Sequence, residues 1–277
     1  MKENKDAQRL LYYFALVNFE MTMINGILPC SLMELEREIN MTYTQQGMIG
    51  SLGYMGTALA SQIAAPIIQK YGEHKTLSLA LLLHAASTVL FTMSYHYGLL
   101  CFNRILQGFL QCFFVVFIPV WINKHSPPNR STLWMGITQA AGPLGITCGY
   151  VLAGIFIYVL NNSINWRFSL IIQGIAEGLT FILILSIPGE AFELATDRKF
   201  HISQIKQILK NPLFMYVSLM LCSIFFVVTG IQYWSTSYLI KILLCNKRQV
   251  VFCFSIVSIT APICGVFMGS YLSDRYV

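Results

Sequence analysis

Charge is scarce in this 277-residue chain: 11% of its residues are Asp, Glu, Lys or Arg, where a soluble domain carries about a quarter. With 56% apolar residues, it lacks the polar surface that a water-facing fold needs. Metal and redox spacing is missing as well. The eight cysteines show no CxxC or Cys/His pattern, and most lie in apolar stretches where Cys acts as a small hydrophobe. No metal centre and no cofactor is expected. Only five histidines occur, and there is no HExxH pair, nucleophilic-serine motif or pair of intramembrane aspartates, so the chain does not read as an enzyme.

Long apolar runs are what the chain does have. Eight blocks are nearly free of charge: roughly 10–32, 46–69, 76–95, 98–123, 132–160, 166–187, 213–240 and 250–272. About 20 apolar residues at 1.5 Å each cross a hydrocarbon core of roughly 30 Å. The reading is an all-α polytopic membrane protein embedded in a lipid bilayer. With the N-terminus in the cytoplasm, Lys2, Lys5, Arg9, Lys70, Lys75, Lys124, Arg130 and the basic residues of 198–210 fall inside with Arg275. Fewer fall outside: Arg37, Arg167, Lys241, Lys247 and Arg248. This positive-inside bias orients the chain. It also accounts for the net charge of +6, so nucleic acid is not expected as a partner.

The first block carries Glu20 in its middle and no small-residue cleavage site, so it reads as a retained span rather than a signal peptide. Asn40 and Asn161 open sequons in predicted outer loops. Tyr12, Tyr13, Trp121 and Trp166 suit interfacial aromatic belts. The loops are short except for residues 188–212. Within that segment Phe200, Ile202, Ile205, Ile208 and Leu209 recur at helical spacing, which predicts an amphipathic helix in the cytoplasmic interface, stopped by Asn211 and Pro212. Three regions follow: a six-helix bundle over 1–187, a linker over 188–212, and the start of a second bundle over 213–277.

Several motifs carry a resemblance. In "APIIQKYGEHK" after the second span, Ala65, Ile67, Gln69, Lys70 and Gly72 follow the pattern G-x-L-x-D-R-x-G-R-K, with Lys75 after them. Gln69 replaces the acidic residue. A second copy, "SYLSDRYV" at the C-terminal end, holds Leu272, Asp274 and Arg275. "RILQG" supplies Arg104, Gln107 and Gly108 on the fourth span, and "AAGPLGITCGY" supplies Gly142, Pro143, Gly145 and Gly149 on the fifth. Together these resemble the major facilitator superfamily of two-bundle secondary transporters. "NFEMTMINGILP" and "VTGIQYWSTSYL" narrow the likeness to its Spinster-like branch, with Glu20 where that branch has an aspartate and Met21 where it has an arginine. The resemblance implies a major facilitator fold: a complete N-terminal six-helix bundle plus two helices of the C-terminal bundle, with the chain stopping after the eighth of twelve.

Ionisable groups deep in spans are rare and costly, roughly 2.5–3.5 kcal/mol each at the centre on insertion scales, and usually face a wet cavity. Glu20 and Arg104 sit at similar depth, so the expectation is that they face each other and couple transport to protons. Glu20 would take up a proton whenever opening of the cavity withdraws Arg104. The plainer alternatives are a packing carboxyl and an arginine that only holds backbone carbonyls. Glu177 and His84 lie on spans six and three, which in the superfamily mostly pack outside the cavity, so packing or interfacial roles are expected of them. Asn25, Gln107, Gln111, Gln139, Gln232, Tyr233 and Trp234 are candidate cavity lining, with interhelical hydrogen bonding as the equal alternative. Gly142, Pro143, Gly145 and Gly149 allow close helix approach. Gln69, Lys70, Gly72, Asp274 and Arg275 are the conformational motif. The functional expectation is a transporter that moves a small organic or lipid-like solute by alternating access, with protons as a coupling partner. The alternative is a truncated or non-transporting membrane protein, a fragment or a regulatory partner of a full transporter.

Overall fold

The computed structural model describes residues 2–127, 130–159, 166–194, 208–258 and 260. Eight α-helices carry the architecture: α1 (Lys2–Ile39), α2 (Tyr43–Ser61), α3 (Ala64–Tyr71), α4 (Glu73–Met93), α5 (Tyr97–His125), α6 (Ser131–Gly154), α7 (Trp166–Leu185) and α8 (Pro212–Lys241). A π-helical turn, Ile155–Val159, extends α6, and residues 247–258 are helical. No strand occurs among the described residues.

Local chemistry explains the helix ends. Thr42 and Gln45 form a reciprocal capping box at the start of α2, each side chain accepting from the other residue's backbone N–H. Asn211 caps α8, and Pro212 occupies its first turn, where no N–H is missed. Glu73 opens α4, complementing the positive end of the helix dipole. Between α3 and α4 the chain turns at Gly72 with φ of 87°. That left-handed region is open to glycine at no steric cost, which gives this motif glycine its structural reason.

Helices pair across the bundle. α1 packs most extensively on α6, α2 on α5, and α4 on α7 and α5; α7 also meets α1. Two buried clusters fill the two halves. One gathers Leu10, Phe14, Phe117, Trp121, Trp134 and Phe192. The other gathers Ile27, Leu28, Phe91, Leu100, Tyr150 and Trp166. The Phe14 ring meets Trp121 edge-on with centroids 5.1 Å apart, and meets Phe192 at 6.0 Å. Trp121 and Trp166 are fully buried, so they are core residues and not an interfacial belt; of the four, Tyr12 alone is exposed and Tyr13 is half-buried. Trp121 Nε1 donates to Ala191 O at 2.8 Å, tying the short 3-10 turn Gly189–Phe192 under the bundle. Leu79, Leu82, Leu83 and Leu90 on α4 are exposed, as expected for a lipid-facing surface.

Six helices among the described residues are long and apolar enough to cross a membrane, against eight expected blocks. The second block becomes α2 and α3, broken at Gln62 and Ile63. Its polar Gln45, Gln46, Ser51 and Thr57 and its glycines dilute the hydropathy of α2. The eighth block is described only in its first part. Most of the amphipathic helix, the sequon at Asn161, and Asp274 and Arg275 lie outside the described residues. Of the amphipathic positions that are described, Ile208 and Leu209 are about half exposed.

Candidate functional site

A cavity of about 640 Å³ opens between α1, α2, α5 and α8. Asn25, Leu28 and Pro29 come from α1, Gly50, Ser51 and Tyr54 from α2, and Arg104 from α5. The far wall is α8, through Phe226, Thr229, Gln232, Tyr233 and Trp234. A narrow recess of about 20 Å³ lies deeper and is lined by Asn25, Arg104, Gln107, Gln111, Tyr54 and His84.

Close helix crossing sets the position of Arg104. A Cβ on Gly108 would collide with the backbone carbonyl of Gly53 on α2, so glycine here lets α2 and α5 touch. Thr57 Oγ1 donates to Gly108 O at 3.0 Å across the same crossing. Arg104 is thereby laid along α2. Its Nε donates to Ile49 O at 3.2 Å, Nη1 to Gln107 Oε1 at 3.3 Å and Nη2 to Asn25 Oδ1 at 3.1 Å. The residue is 3% exposed. No carboxylate lies within ion-pair distance of it among the described residues. Its charge therefore faces the cavity held only by neutral oxygens.

The expected pairing of Glu20 with Arg104 does not occur. Glu20 points to the α7 side of α1, where Thr180 Oγ1 donates to its Oε1 at 2.8 Å. Asn25, five residues further along α1, takes the position beside Arg104. The similar depth expected of the two charges did not bring them together, because Glu20 turns to α7 while Arg104 reaches Asn25.

The other sequence candidates divide. Gln107 is buried and bridges Arg104 to Thr88 Oγ1 on α4 at 3.4 Å. Gln111 lines the recess. Gln232, Tyr233 and Trp234 line the main cavity, and Tyr233 also donates to Gln46 O at 2.6 Å. Gln139 is exposed and lines neither space. Gly145 and Gly149 press against the α1 backbone at Phe19 and Met23, while Gly142 has only ordinary contacts there. Pro143 lies within α6 on an exposed face. Gln69 and Lys70 are exposed at the end of α3, and Lys70 lies over the Tyr71 ring at 5.2 Å.

Sequence reasoning missed three features. His84 Nδ1 and Glu177 Oε2 meet at 2.9 Å, both fully buried. Glu36 pairs with Lys241, joining α1 to the end of α8, while Gln46 Nε2 donates to the same carboxylate oxygen at 3.1 Å. Glu38 accepts from Arg167 Nη2 at 2.9 Å and from Trp166 Nε1 at 3.1 Å. The first had a signal, since an acid and an imidazole inside spans seek one another. The other two join residues far apart in sequence, and no spacing reports that.

The Major Facilitator Superfamily profile matches residues 10–277. The chain belongs to that superfamily. Among curated superfamily relatives, the "Probable sphingolipid transporter spinster homolog 1" of Arabidopsis thaliana is 22% identical over 275 residues, covering 87% of this chain and 55% of the relative. Monosaccharide-sensing protein 1 of the same species is 23% identical over 195 residues, covering 70% of this chain and 26% of its own length. The superfamily fold is also seen in the solved structure of a bacterial homolog to the human lysosomal transporter Spinster, inward-facing and unoccupied. It matches with a TM-score of 0.81 at 14% identity, over 98% of this chain and 63% of that one. The crystal structure of the D-xylose–proton symporter matches at 0.67 and 14% identity, over 90% and 65%. The chain thus spans between about a quarter and two thirds of the length of these superfamily members. It is an integral multi-pass membrane protein of all-α major facilitator fold.

Proposed function

We propose that this protein is a secondary transmembrane transporter that moves a small amphipathic solute, lipid-like with an anionic or hydrogen-bonding head, by alternating access. The observation that carries the reading is the buried, carboxylate-free Arg104 on the wall of a cavity whose other lining is apolar and aromatic groups with the neutral polar Asn25, Ser51, Thr229 and Gln232. A guanidinium offers a directional fork to a phosphate or carboxylate, and the α8 aromatics offer a face for an alkyl chain. The sphingolipid assignment in the name of the Arabidopsis relative supports the same class.

On this reading residues 1–187 form one bundle, 188–212 the linker, and 213–277 the beginning of the second bundle, with the N-terminus cytoplasmic. The outer end of α8 is then held to α1 and α2 by Lys241–Glu36 and Tyr233–Gln46. The inner part of α8 is exposed. That asymmetry suits an outer gate that is closed while the inner side is open.

The test is uptake by phosphatidylcholine vesicles holding the purified chain, with labelled lysophosphatidic acid and labelled xylose as separate arms under an imposed pH gradient. The expected result is accumulation of lysophosphatidic acid, lost in Arg104→Gln. Uptake of xylose alone overturns the lipid-like reading. Uptake of neither above protein-free vesicles overturns transport by this chain and favours a regulatory role.

A further inference from the structure

Beside the recess, and set back from the main cavity, lies a set of ionisable groups. From α4, His84 meets Glu177 of α7 at 2.9 Å, and Gln173 Nε2 donates to the other Glu177 oxygen at 2.8 Å. From α1, Glu20 accepts from Thr180 Oγ1 at 2.8 Å, and Thr180 lies one turn along the buried face of α7 from Glu177. All three ionisable residues are buried, His84 and Glu177 almost completely.

The set is short of donors. Glu20 Oε2 and Gln173 Oε1 are buried acceptors with no partner, and a buried acceptor without a donor costs about 1–3 kcal/mol. A proton bound at Glu20 removes the charge that burial without a partner at Oε2 makes costly. Packing alone is a weak account of the cluster, since a buried ion pair stabilises little over apolar side chains of the same volume.

A path to the cavity exists. His84 lines the 20 Å³ recess, as do Asn25 and Arg104, which also line the main cavity. A space of that size accommodates about one water molecule. A hydrogen-bonded line runs beside it, from Arg104 to Gln107, to Thr88 Oγ1, and on to His84 O at 3.0 Å. The groups facing His84 are Glu177 from α7, Arg104 from α5 and Tyr54 from α2; Glu20 from α1 joins through Thr180, one turn from Glu177.

We propose that His84, Glu177 and Glu20 form one proton-binding cluster, loaded from the cavity through the recess beside Arg104. Bound protons would be shared among the cluster's one imidazole and two carboxyl groups. Its purpose in coupling rests on the transport reading above. Its titration does not, because that is measured with no solute present.

The experiment is infrared difference spectroscopy of the 277-residue chain in phosphatidylcholine vesicles, stepping pH and recording the protonated-carboxyl stretch in H₂O and D₂O. Wild type is expected to show a deuterium-sensitive carboxyl band that titrates. Glu20→Gln and Glu177→Gln each remove part of it. His84→Gln and Thr180→Val each displace the midpoint of the remainder by about one pH unit, with circular dichroism confirming the helical fold. A wild-type chain with no titrating carboxyl band overturns the proposal without any variant. So does a folded His84→Gln chain that titrates as wild type does. A cluster that behaves as expected in a chain that takes up no solute supports this inference and counts only against transport.

Discussion

Two glycines three residues apart on α6 face α1 in different ways, and a matched pair of alanine substitutions separates them. A Cβ at Gly142 would meet Asn18 Nδ2 at 3.8 Å and Thr22 Cγ2 at 3.9 Å, which is ordinary contact. A Cβ at Gly145 would overlap the Phe19 carbonyl and stand 2.5 Å from Thr22 Oγ1. The obstacle is backbone, so only separation of α1 from α6 relieves it. Both substitutions gain helix propensity of up to about 1 kcal/mol. At Gly145 the overpacking, typically about 1–3 kcal/mol, outweighs that gain. It also disturbs the Thr22 bond to Gly142 O, of the kind averaging about 0.6 kcal/mol in membrane proteins. Gly142→Ala is therefore expected to be neutral or slightly stabilising, and Gly145→Ala destabilising. The gap between them should be about 1–3 kcal/mol, or roughly tenfold in the unfolding constant for each 1.4 kcal/mol. Dodecyl sulfate titration from phospholipid bicelles, followed by circular dichroism, measures it. Equal unfolding midpoints for the two variants would refute the claim that α1 and α6 touch backbone to backbone at Gly145.

Other perturbations have equally definite outcomes. Gly72→Ala places a side chain at φ of 87° with open space around it, so strain alone is tested; a loss of about 1 kcal/mol is expected in the same titration. Arg104→Gln should weaken lysophosphatidic acid quenching of Trp234 fluorescence at least tenfold, whereas Gln139→Ala, away from the cavity, should leave it unchanged. Lys241→Ala removes the link from α8 to Glu36. In a version with the eight native cysteines replaced, it should speed labelling of a Ser51→Cys thiol by an impermeant maleimide added outside; unchanged labelling argues against an outer gate there.

The long apolar runs were legible along the chain, because length and hydropathy are local properties. The Gly72 position in the motif was legible too, whereas the Thr42 capping box was not read, and Asn211 and Pro212, expected to stop a helix, also begin α8. The rise along each helix was legible as well, because each residue advances it by a constant 1.5 Å. Direction around the helix axis relative to a neighbour was not. Depth put Glu20 level with Arg104, but Arg104 reaches Asn25 while Glu20 turns to Thr180. His84 and Glu177, expected to be packing groups, became a hydrogen-bonded pair. Which side chains meet depends on how closely and at what angle the helices cross. That was decided by backbone contacts such as Gly108 against Gly53 and Gly145 against Phe19. Sequence alone marked the long apolar runs, since length and hydropathy are local properties. Only the tertiary structure decided which buried charges share a face, since that rests on helix crossings between residues dozens of positions apart.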